Sequence, residues 1–275
     1  MTGRLIKHEL KAGARRMSNI YIAAGIACLA MLFSAFFKNG FMRFITSAAV
    51  VVIAAIAVIV TFASVVFGAN KSLFGREGYL TQTLPVRTSS LIFAKWFASS
   101  VWVLASYALA AVVFVAVFVY WTTQNQEGSQ IYDMLYQFLQ GFGIGAESVY
   151  QKYLLISAII GFFNACIFVM YVLFSITVSN INPFHKLGTL GVILYLAGTV
   201  FVIQGITMGL EKLCDITLII AGSGMSMTVS PEVVLQASAS GAMTIGFTGV
   251  YFKILVTVFL YILTVQLTET KINLK

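Results

Sequence analysis

Six apolar runs, at about 20–37, 44–69, 92–121, 153–179, 187–209 and 249–267, leave this chain little choice of fold. Each approaches or exceeds the ~20 residues that a helix needs to cross a hydrocarbon core. Inside lipid no water satisfies a backbone N–H or C=O, so a spanning segment must bond to itself, as a helix does. The second, third and fourth runs are longer than required, which predicts tilt or extension past the membrane. With 60% hydrophobic and 9% charged residues, little material remains for a solvated domain. The expected class is an all-α polytopic membrane protein, a single transmembrane domain over 1–275 with six transmembrane helices.

Charge orients the spans, because loops rich in Lys and Arg stay on the cytoplasmic side. With the N-terminus inside, the inner segments carry Arg4, Lys7, Lys11, Arg15, Arg16, Lys71, Arg76, Arg87, Lys95, Lys186, Lys271 and Lys275. The outer ones carry Lys38, Arg43, Lys152, Lys212 and Lys253. Twelve against five places both termini of a multi-pass membrane protein inside. The net charge of +8 therefore reports topology rather than a nucleic-acid partner.

The N-terminal residues 1–18 read as a basic amphipathic helix. Arg4, Lys7, Lys11 and Arg15 recur at helical spacing, with Ile6, Leu10 and Met17 on another face. Such a helix lies in the headgroup layer of an anionic leaflet as an elbow before the first span. The charged region of a signal peptide is the alternative, but no clear small-residue cleavage site follows. His8-Glu9 opens a zinc-protease-like HExx, yet Ala12 stands where the second histidine belongs.

The long polar break at 71–95 holds Lys71, Arg76, Arg87 and Lys95 against one acid, Glu77. Arg76–Leu84 contains no helix breaker except Gly78, and Pro85 stops it. Thr88, Ser89 and Ser90 then offer hydroxyls to cap the following helix. A short helix is expected across the gap between two spans. Its stretch FGREGYLTQTLPVRTSSLIFAKW resembles the loop of bacterial ABC exporter permeases of the type 2 class, where EG-x-L-x-x-TLP precedes a lysine at the start of the third span. The matching positions are Glu77, Gly78, Leu80, Thr83, Leu84, Pro85 and Lys95.

That resemblance implies that 71–91 is a coupling segment whose Arg76, Glu77, Tyr79, Leu80 and Leu84 dock on a separate ATPase subunit. It implies two copies of that ATPase beneath two copies of this chain, with ATP and magnesium held by the partner and no cofactor on this chain. It also implies an amphipathic or hydrophobic substrate, of the kind handled by exporters of antimicrobial or cytolytic peptides. Pro183, Phe184 and His185 form a short proline-stopped turn that is either a second ATPase contact or a simple helix–helix connection. Gln204 with Gly205 and Gly209, a G-x-x-x-G, mark a face for close helix approach in a homodimer or along a path.

Other chemistries lack their residues. No G-x-x-x-x-G-K-[ST] is present, so ATP hydrolysis is not expected on this chain. No acid or histidine falls mid-span, where an ion-coupled carrier would usually hold one. The three cysteines, Cys28, Cys166 and Cys214, are too widely spaced for a disulfide framework. An ion-coupled secondary transporter and a non-transporting scaffold or sensor remain the alternatives. Between the last two spans, 210–248 is expected to be re-entrant or an outer helical segment; the alternative, a seventh span at 213–229, would put the C-terminus outside.

The charge count yields a direct test of topology. In a cysteine-free background, single cysteines at Arg87 and Gln130 should differ on whole cells: an impermeant thiol reagent should label position 130 and spare position 87. The reverse pattern would overturn the orientation.

Overall fold

The computed structural model describes residues 2–34, 40–74, 87–124, 149–180, 188–213, 216–221, 224–239 and 243–270. Helices dominate: α1 (Thr2–Ser34), α2 (Gly40–Phe74), α3 (Thr88–Gln124), α4 (Val149–Ser179), α5 (Gly188–Leu213), α6 (Pro231–Ala239) and α7 (Thr248–Thr270). Three short strands, β1 (Thr217–Ala221), β2 (Gly224–Thr228) and β3 (Met243–Gly246), complete the described elements. Five helices are long and apolar enough to cross a membrane, within Gly40–Phe74, Thr88–Val113, Ile156–Ser179, Leu190–Leu213 and Thr248–Thr270. Large apolar side chains stand on their outer faces, among them Phe67, Val112, Phe201 and Leu255. Soluble proteins rarely expose such continuous apolar surface, whereas lipid solvates it. This is the architecture of a multi-pass membrane protein.

The chain falls into two compact units. In the first, α1, α2 and α3 pack on one another with small residues at the contacts: Ala24, Ala54, Ala57, Ala94 and Ala98 are all buried. Small side chains let helix backbones approach, the main source of packing energy where lipid removes the hydrophobic drive. Val50, Ala54 and Val113 form a core cluster, and Ala27, Cys28 and Leu109 pack against it. The expected elbow is not set apart from the apolar stretch that follows it. α1 runs unbroken for 33 residues, from the basic stretch into the apolar one.

In the second unit α4, α5 and α7 pack together, and α4 is the most enclosed, with Val169, Met170, Val172, Leu173 and Ile176 at 1% exposure or less. The hydroxyls within these helices donate to carbonyls one turn back: Ser175 to Tyr171, Thr177 to Leu173, Thr207 to Ile203 and Thr264 to Leu260, at 2.6–3.0 Å. That habit satisfies a polar group without water.

Residues 210–248 depart in part from the expected helical segment: α6 is a helix, but three strands accompany it. β1 is central in an antiparallel sheet of order β2-β1-β3, pairing Ile219 with Ser226 on one side and with Thr244 on the other. Leu218, Ile219 and Ile220 are buried on both faces, as suits a covered central strand. Phe247 N–H donates to Ile216 O at 2.8 Å and Ile216 N–H to Thr248 Oγ1 at 2.7 Å, which joins the sheet to the start of α7.

α5 and α7 meet where Gly249 faces Thr207 and the Glu211 carboxylate. A side chain there would strike Thr207 Cγ2 at 2.9 Å. The acid also sits against the first turn of α7, whose free N–H groups favour negative charge. Replacing Gly249 by Val should therefore force α5 and α7 apart, at a cost of about 1–3 kcal/mol. A thermal-stability assay in detergent should show a lower midpoint; an unchanged midpoint would mean the contact is not tight.

Candidate functional site

The site builds up around one buried cation. Lys95 lies seven residues beyond the start of α3, in a stretch flanked by Phe93, Ala94, Trp96 and Phe97, and is only 3% exposed. An ammonium cannot be left so enclosed without partners, because its hydration is lost. Two other helices supply them. Lys95 Nζ donates to Glu9 Oε1 of α1 at 2.6 Å and to Ser72 Oγ of α2 at 2.7 Å. Ser72 Oγ passes its own proton on to Ala69 O at 3.3 Å. One charge thus ties all three helices of the first unit.

Close backbone approach makes room for the tie. The Arg16 guanidinium lies directly over Gly68 of α2, and the Trp102 indole lies against Gly13 of α1. A Cβ at either glycine would occupy the same space. Trp102 also stacks with Tyr21, ring centroids 6.0 Å apart. The cleft among these groups, lined by Glu9, Arg16, Ser64, Ser72, Lys95 and Trp102, has a volume of about 40 Å³. That holds a few water-sized groups and no substrate. The chemistry on offer is mechanical: a charge-assisted joint, stronger and more directional than a neutral hydrogen bond.

The joint stands at the two helix ends that bound residues 75–86 in the sequence. Ser72 lies two residues before the end of α2, and Lys95 is near the start of α3. Arg76, Glu77, Tyr79, Leu80 and Leu84 fall between these helices and lie outside the described residues, as do Pro183, Phe184 and His185. Gln204, Gly205 and Gly209 are all on α5, in the other unit. Gly205 and Gly209, with Gly198, have open space where a side chain would stand. At about 100° per residue these three share a face about 40° wide. Of the positions that carry the family resemblance, Lys95 is the one whose contacts are described. The Lys95–Glu9 pair was missed on sequence, where Lys95 counted as a loop charge and as the lysine of the resemblance. The available signal was a lysine inside an apolar helical run, which calls for an acid, and Glu9 is the single acid of the N-terminal helix.

No family model, no curated protein and no solved structure matches this chain.

Breaking the pair by Glu9→Gln should leave Lys95 buried and uncompensated, a loss of up to about 3–5 kcal/mol. Removing both charges, in Glu9→Leu with Lys95→Met, should recover most of the loss, since a well-packed apolar pair replaces a desolvated ionic one. A double-mutant cycle on thermal unfolding in detergent reads this directly. Additive single effects would show that the two groups do not interact.

Proposed function

We propose that this chain is the membrane subunit of an ATP-driven exporter, acting as a homodimer on two copies of a separate ATPase. The observation that carries the reading is the loop Glu77-Gly78-x-Leu80-x-x-Thr83-Leu84-Pro85 followed by Lys95. A docking helix needs apolar side chains to fill a groove and a charge to fix its orientation. Tyr79, Leu80 and Leu84 supply the first, Glu77 the second. The motif lysine lends support, because its bonds to Glu9 and Ser72 join α1 and α2 to α3 next to the segment. A push on the loop is then delivered to three helices together.

In this reading six helices span the bacterial plasma membrane, the sixth being the apolar part of α1, with both termini inside. The N-terminal basic stretch of α1 rests on the inner headgroup layer. ATP-driven closure of the ATPases draws the two coupling segments together and opens the path outward. The path runs between two copies, and the open glycine face of α5 at Gly205 and Gly209 suits a close contact across the dimer. The substrate is an amphipathic or hydrophobic molecule, as the resemblance implies and as suits six apolar runs that hold no acid or histidine.

The test is on the coupling segment. Glu77→Ala and Leu80→Asp should each lower substrate-stimulated ATP hydrolysis by the reconstituted complex, while the permease still inserts. Leu80→Asp should be the more damaging, because a charge in an apolar groove is desolvated without a partner. Wild-type ATPase binding and hydrolysis in both variants would refute the role of 76–84. Failure of the chain to co-purify with any nucleotide-binding subunit would refute the exporter reading as a whole.

A further inference from the structure

The second unit contains a polar cleft within its helices that the transport reading does not use. It has a volume of about 180 Å³ and is bounded by α4, α5 and α7. Asn164, Tyr171, Gln204 and Lys253 bring four polar side chains into a lining otherwise made of Ile167, Phe168, Val200 and Ile203. Tyr171 is 6% exposed and its buried hydroxyl has no hydrogen-bond partner. Burial leaves such a group without the hydrogen bond it would make in water. Asn164 donates its amide to Ile160 O at 2.9 Å, which leaves its carbonyl oxygen. The Lys253 ammonium and the Gln204 amide form no side-chain hydrogen bond or ion pair among the described residues. Glu211 is turned to Gly249 instead. A lysine, a phenol and a carboxamide therefore converge as donors with no anion among the described residues to receive them.

An apolar groove adjoins the cleft. It lies between α5 and α7, has a volume of about 690 Å³, and is lined by Leu194, Val202, Ile206, Val256 and Phe259 among others. Ile203 borders both spaces, so they are neighbours on one helix. From Leu194 to Ile206 the groove follows α5 for about 18 Å at 1.5 Å per residue. One leaflet of a ~30 Å hydrocarbon core is about 15 Å deep, which is the length of a membrane acyl chain.

We propose that this unit binds a long-chain carboxylic acid, its carboxylate in the Lys253 cleft and its aliphatic chain in the α5–α7 groove. The charge at the head must be negative, because a cationic head would meet Lys253 in a medium that screens little. The head must be small, because the cleft holds only about 180 Å³. A phosphodiester with two chains could seat only one of them in the adjoining groove. The inference stands apart from the exporter reading, since binding is measured on this chain alone.

Photolabelling tests it. The purified full chain in neutral phosphatidylcholine nanodiscs is irradiated with hexadecanoic acid carrying a terminal diazirine, and the insertion sites are mapped by mass spectrometry. Insertion should fall at the far end of the groove, around Leu194 and Phe259. Excess unlabelled hexadecanoate should abolish it. Lys253→Gln and the groove-filling Val202→Trp should each reduce labelling about tenfold or more, and Lys253→Arg should retain it. The methyl ester of the same probe should label wild-type protein as poorly as the acid labels Lys253→Gln, a comparison that needs no variant to fold. Equal labelling by acid and ester, insertion outside the groove, or no competition by hexadecanoate would each overturn the proposal. Displacement of the probe by phosphatidylglycerol but not by hexadecanoate would overturn it in favour of a phospholipid headgroup.

Discussion

Lipid offers no hydrogen bonds, and that single deprivation organises this protein at every scale. It makes the long apolar runs helical. It turns the hydroxyls of Ser106, Thr177 and Thr264 back onto their own helices, with bonds of 2.6–3.0 Å to carbonyls three or four residues earlier. It also prevents a buried charge from standing alone. Lys95 is enclosed and has therefore drawn an acid from one helix and a hydroxyl from another, so that the demand of one ammonium sets the mutual placement of α1, α2 and α3.

Where the same demand is unmet, a ligand site is the physical alternative. Tyr171 and Lys253 share a cleft without an acid, in contrast to Lys95, which has Glu9. The two clefts therefore call for opposite interpretations. In the first unit Glu9 answers Lys95 within the protein and the result is a joint. In the second, Tyr171 and Lys253 await an outside group.

How much of this was legible in the sequence follows from which interactions are periodic. The spans were readable because the hydrocarbon core imposes a length, and five helices of that kind are present. The continuity of α1 was not read, although no glycine or proline stands between Met17 and Ala24 to interrupt it. Thr217–Ala221 was misread because a short apolar run looks alike as strand or helix. The β-branched Thr217, Ile219 and Ile220 were the available hint, as such side chains suit a pleated surface. The Glu9–Lys95 pair was beyond periodicity altogether. Its members are 86 residues apart, and only the burial of Lys95 reveals the need that joins them.

The unbroken course of α1 gives that pair a geometric reach. Glu9, held to Lys95, is near one end of a stiff rod whose other end is Ser34. The rod extends about 37 Å past the held point at 1.5 Å per residue, so a tilt of about 10° there displaces the far end by roughly 6 Å. A hinge between the basic and the apolar stretch would have absorbed such a rotation locally. Without one, a small angular change at a buried ion pair becomes, at Ser34, a displacement about as wide as a helical turn is tall.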